Sequence, residues 1–144
     1  MEPSSFAERL SDLMFERNIK SNELAAAIGT NTSSVNDWKR GKFQMYLSNL
    51  LKVADFFGCS LEFLTGRSEN LLEYTPKPVP PFYPRFRAVM EERGKTRYRV
   101  AKETDIKDSY FTEWNKGSDP LVVSLIKAAN YLGVTLDYLV GRDS

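Results

Sequence analysis

Apolar residues recur at helical spacing almost from the start of the chain. Phe6, Leu10, Leu13 and Met14 fall at i, i+4, i+7 and i+8, which places them on one face of an amphipathic helix. SNELAAAI, residues 21–28, reads as a short second helix with Leu24 and Ile28 turned inward. The polar string NTSSVNDWKRGK, residues 31–42, contains one Val and one Trp. Val35 and Trp38 are three apart and share a face. Asn31 just ahead of them is a favoured N-cap residue, so a third helix is predicted from there to near Gly41. A fourth is predicted over about 47–57, closed by Gly58 as a left-handed C-cap, and SLEFL forms a short fifth. No segment alternates like a strand, so the expected class is all-α.

The same pattern returns further along. Displaced by 76 positions, Phe6 meets Phe82, Met14 meets Met90, Ala25 meets Ala101, Ser33 meets Ser109, Trp38 meets Trp114 and Gly41 meets Gly117. After one deletion the offset is 75, and Leu50, Gly58, Leu61, Leu64, Gly66 and Arg67 meet Leu125, Gly133, Leu136, Leu139, Gly141 and Arg142. Two copies of about 62 residues, each just large enough to bury a core, are therefore expected. In the second, Phe82, Phe86, Val89 and Met90 repeat the first stripe, RYRVAKET the second helix and TLDYL the fifth. Asp119-Pro120 is expected to start its fourth helix, with Pro in the favoured first turn. The boundaries read as 1–68 and 82–144, with 69–81 a proline-rich linker, stiff and extended where the prolines cluster. Leu71, Leu72 and Tyr74 are too apolar for a free tether. They dock on one of the domains or mediate self-association.

Composition removes several function classes. The chain of 144 residues has no histidine and one cysteine. It thus lacks the usual general base and the commonest metal ligand, and cannot form an internal disulfide. No cofactor, metal site or small-molecule ligand is expected, and no enzymatic activity. No apolar run is long enough for a membrane span and no secretory signal opens the chain, so a cytoplasmic protein is expected. Net charge is +1, with 8 basic and 10 acidic side chains in residues 1–75 against 12 and 9 in 76–144. Any polyanion must therefore be held by a local face.

Such a face follows from the third helix. LAAAIGTNTSSVNDWKRG is helix, tight glycine turn, helix, with small Ala25 at the crossing. With Val35 and Trp38 inside, Thr32, Ser33, Asn36, Asp37 and Arg40 stand outside as short hydrogen-bonding groups ending in a cation. The major groove of DNA admits such a helix and offers donors and acceptors to it.

These residues resemble the Cro/repressor-type helix-turn-helix family, also called the XRE family. The second copy carries the pattern as VAKETDIKDSYFTEWNKG, and the endings FFGCSLEFLTGR and YLGVTLDYLVGR resemble the family's as well. The resemblance implies two tandem five-helix domains of lambda-repressor-like fold. It implies a sequence-specific transcriptional regulator of phage or bacterial type, a repressor acting as a covalent pseudo-dimer on double-stranded DNA, with homo-oligomers open to it. Thr32, Ser33 and Asp37, with Asn36 beside them, match base-reading positions. Lys20, Ser21, Arg40 and Lys42 match phosphate contacts, joined by backbone N–H groups opening the second helix. In the second copy Asp108, Ser109, Thr112 and Glu113 correspond for bases, and Thr96, Arg97, Lys116 and Ser118 for the backbone.

The second copy departs from the pattern. Asp105 replaces the turn glycine, and Asp108 places a carboxylate where a neutral group is usual. Phosphates repel it unless it pairs with a cation or accepts from cytosine N4. It is expected to read a different sequence or to bind weakly, with Arg97, Arg99, Lys102 and Lys107 adding compensating charge. The run KTRYRVAK is either a nucleic-acid surface or a solvated face. The other class of reading is a protein-interaction module, antitoxin-like or anti-repressor, with the second copy a dimerisation scaffold. Trp38 and Trp114 read as core, and Cys59, matched by Val134, as buried and inert.

Overall fold

The computed structural model describes residues 3–42, 44–70 and 74–143, with residues 3–5 described as helix backbone only. Among these residues there are ten α-helices and no strand. The chain divides into two compact units, Met1–Pro76 and Lys77–Ser144.

In the first unit the order is α1 (Pro3–Glu16), α2 (Ser21–Ile28), α3 (Thr32–Lys39), α4 (Leu47–Phe57) and α5 (Leu61–Leu64). The predicted stripe of α1 is the buried one: Phe6, Leu10, Leu13 and Met14 are all inside. α3 packs on α1 and α2, α4 on α2, and α5 closes the unit against α1 and α4. Leu24, Ala25, Val35, Trp38, Leu50 and Leu61 meet in the shared core. Gly58 takes φ 66° and its N–H caps Ala54 O and Asp55 O, which ends α4 where a side chain would be strained. Cys59 is buried. Arg9 stacks 4.2 Å above the Phe63 ring and donates to the carbonyls of Phe63 and Ser68, so the end of α5 is tied to α1.

The second unit holds α6 (Phe82–Glu92), α7 (Arg97–Thr104), α8 (Asp108–Asn115), α9 (Val122–Leu132) and α10 (Leu136–Val140). α6 packs on α8 and α10, and α7 on α8 and α9. Here the first stripe differs from expectation. Phe82 is only half-buried, and Tyr83 takes the inner position beside Phe86, Val89 and Met90. The Tyr83 place matches Ala7, which is buried in the first unit as well, and Phe82 lies at the edge of a ring cluster. Trp114 meets Phe82, Phe86 and Phe111 edge-on at 5.2–5.6 Å, and this cluster fills the space from its rim. Arg85 stacks 4.4 Å above the Tyr138 ring and donates to its carbonyl at 2.7 Å. Asp137 and Arg142 form a 2.8 Å ion pair that is almost wholly buried.

A second difference concerns Pro120. α9 begins at Val122 with Leu121 as its N-cap, so Pro120 precedes the helix and is buried rather than standing in its first turn. Near the end of the first unit, the Tyr74 N–H donates to Gly58 O at 2.9 Å, which ties that residue to the end of α4. Pro80 lies against Gly141 in the second. A Cβ there would come within 2.7 Å of the proline ring, and φ is 89°, so glycine is required on both counts. The expectation for Leu71 and Leu72 falls outside the described residues.

Candidate nucleic-acid interface

The helix-turn-helix of the first unit is built from three local decisions. Gly29 ends α2 at φ 78° and its N–H caps Ala25 O. Asn31, in extended backbone, opens α3: its Oδ1 accepts from Ser34 N at 2.8 Å and from the Ser33 hydroxyl at 3.0 Å. Val35 and Trp38 are then buried, which fixes the rotation of α3 about its axis. That rotation leaves Thr32 and Ser33 exposed and Asn36 and Asp37 half-exposed.

Charges on this face are partly paired. Arg40 donates to Asp37 Oδ1 at 2.5 Å, both side chains remaining about half exposed. One predicted phosphate contact and one predicted base contact are thus already joined on a single helix turn. Lys39 Nζ lies 3.4 Å from Ser21 Oγ and links the ends of α3 and α2, a neighbour the sequence pattern did not single out. Lys20 precedes α2 as its N-cap, and its N–H donates to Glu23 Oε1 at 2.8 Å. A carboxylate therefore already stands at this helix start. Lys42 is exposed. Phe15, 87% exposed on α1, borders the same region through a hollow it shares with Lys20, Ser21 and Lys39. Sequence spacing passed over it because it falls one residue off the buried stripe.

In the second unit the turn is made by Asp105 at φ 63°, ψ 11°, a left-handed conformation that a short polar side chain tolerates. Thr96 caps α7 by accepting from Arg99 N at 3.2 Å. Phe111 and Trp114 are buried, so Asp108, Ser109, Thr112 and Glu113 are exposed on α8. Lys116 and Ser118 are exposed beyond its end, with Lys116 Nζ 3.8 Å from Glu113.

The basic run on α7 is largely neutralised within the unit. Arg97 Nε donates to Asp108 Oδ1 at 2.9 Å, and its Nη2 donates to Asp108 Oδ2 at 3.1 Å and to Thr112 Oγ1 at 2.6 Å. Arg99 holds Glu103 at 2.6 Å, and Tyr131 donates to the other oxygen of that carboxylate at 2.9 Å. The Arg97 hydrogen bond lowers the Asp108 pKa below its ordinary value, and Arg99 followed by Tyr131 does the same for Glu103. Both groups are therefore firmly anionic near neutral pH. The condition set for Asp108, that it pair with a cation, is met by Arg97 across the turn.

Among the described residues, no group of three or more His, Cys, Asp or Glu residues is placed to hold a metal ion, and no helix is long and apolar enough to cross a membrane. No curated protein and no solved structure matches the chain. Residues 9–66 match the model of the Cro/C1-type HTH DNA-binding domain. The exposed polar row of α3 thus lies inside a segment with the likeness of a DNA-binding domain, and that match supports a DNA-binding regulator.

Proposed function

We propose that the chain is a sequence-specific transcriptional repressor that grips double-stranded DNA with two helix-turn-helix units in tandem, as a covalent pseudo-dimer. The observation that carries the reading is the exposed row Thr32, Ser33, Asn36 and Asp37, projecting from the buried Val35/Trp38 stripe inside the matched segment 9–66. A rod of this kind fits the major groove, where short polar side chains meet base edges. Lys20, Ser21, Arg40 and Lys42 flank it as phosphate contacts, with Lys39 added by its position beside Ser21.

Support for a second reading unit comes from the helix order of the second half and from residues in equivalent places. Arg9 over Phe63 and Arg85 over Tyr138 are matching clamps at the offsets found in the sequence. Asp108, Ser109, Thr112 and Glu113 would face bases, with Thr96, Arg97, Lys116 and Ser118 near the backbone. One small helix-turn-helix makes few contacts. Joining two by 69–81 gives the second a high effective concentration once the first is bound. Because α3 and α8 carry different side chains, the operator would have two unlike half-sites. Occupancy of such a site would block other proteins from the same duplex. Selection from random duplex DNA with the intact chain tests this. Recovery of a site with two distinct halves supports the reading, and recovery of no enriched sequence overturns it.

A further inference from the structure

Arg97 stands at the start of α7 and reaches across the turn to α8. One guanidinium grips both carboxylate oxygens of Asp108, the Asp108 carbonyl at 3.1 Å and the Thr112 hydroxyl oxygen at 2.6 Å. Asp108 nonetheless keeps 64% of its side chain exposed. A clamp of this kind has three chemical consequences. It offsets the carboxylate's charge, which otherwise sets it against phosphates. It fixes the carboxylate plane, because a forked guanidinium pair allows one geometry. It also leaves spare acceptor capacity on Asp108, since each carboxylate oxygen has two lone-pair sites.

We infer that Arg97 is a positioning residue that fixes Asp108 as an outward acceptor, selecting an amino-bearing base, cytosine or adenine, in the half-site read by the second unit. The amino groups at cytosine N4 and adenine N6 are the only base donors in the major groove. Guanine and thymine present acceptors there, which a carboxylate cannot engage. In the first unit Ser21 and Thr32 stand at the equivalent positions, and the carboxylate on α3, Asp37, is paired one turn away on the same helix by Arg40. This inference rests on the second unit reading DNA, and it names the chemistry of that reading.

Selection from random duplex DNA with the full chain, its D108A variant and its R97A variant tests it. Thermal melting and retention of the first unit's half-site serve as folding checks. The expected result is a second half-site with one position restricted to cytosine or adenine, relaxed in D108A, and relaxed at that same position in R97A. An arginine serving only as a phosphate contact would weaken binding in R97A without changing any base preference, and that outcome overturns the assignment. A second half-site whose preferences survive D108A overturns it too, with the tandem reading left standing. Recovery of the first half-site alone overturns both.

Discussion

The two helices proposed to read DNA, α3 and α8, stand on similar frames and carry different chemistry. Each buries an apolar stripe, Val35/Trp38 in one and Phe111/Trp114 in the other, and each follows a left-handed turn. The frames are braced at equivalent places, by Arg9 on Phe63 and Arg85 on Tyr138, and by the Glu62–Arg67 and Asp137–Arg142 pairs. The outward groups diverge. α3 opens with an asparagine cap and two hydroxyls and ends in an Asp37–Arg40 pair. α8 opens without a side-chain cap and carries at its first position an aspartate held from the preceding helix. The lesson is that the buried face sets where a helix lies, while the exposed face varies independently of it.

The largest expected effect tests the frames. Arg142→Ala removes the guanidinium that faces Asp137 in a site 1% exposed. It should destabilise the second unit by about 3–5 kcal/mol, read by denaturant or thermal unfolding. Arg67→Ala, at a pair whose side chains are each 16% exposed, should cost less, because water reaches Glu62. Equal losses would contradict the difference in burial.

The next effect tests the faces. Alanine at Thr32 and Ser33 should remove about 1–3 kcal/mol of discrimination between the selected half-site and a scrambled one. Binding titrations on both duplexes measure it, with stability nearly unchanged. A smaller effect separates the helix starts. Asn31→Ala should cost about 1 kcal/mol of stability, whereas Lys107→Asn, which installs a cap α8 lacks, should gain a similar amount.

The smallest effect is on pH. Asp108 and Glu103 have lowered pKa values in the folded state, so their contributions are complete above the ordinary carboxylate pKa of about 4. They are lost as pH falls through the lower, folded values. Both groups are exposed, so the second unit's unfolding midpoint should drop only slightly on acidification. Alanine at Asp108 and Glu103 should remove that drop.

Much of this architecture was legible locally. The limits of α2, α4 and α7 follow from 3.6-residue spacing, and the ends of α2 and α4 from glycines that can adopt positive φ. Features that depend on packing were not. Phe82 lies half-buried at the edge of the Trp114 cluster while Tyr83, like Ala7 at the matching place, is buried, and Pro120 is buried ahead of its helix. The Arg97–Asp108 clamp spans eleven positions across a turn, and only the crossing of α7 and α8 brings the two together. Phe15 is exposed because it sits one step off a stripe that was otherwise read correctly. Single-residue roles at the interface are the least legible, since helical period assigns a side to each residue but no partner.

The most direct measurement is the salt dependence of binding by the intact chain to its selected duplex, compared with the same chain bearing alanines at Lys20 and Lys42. The account predicts that affinity falls steeply with added salt, and that the double variant loses about two contacts' worth of slope while keeping its base preferences. An affinity that ignores salt, or a slope unchanged by these substitutions, would contradict it.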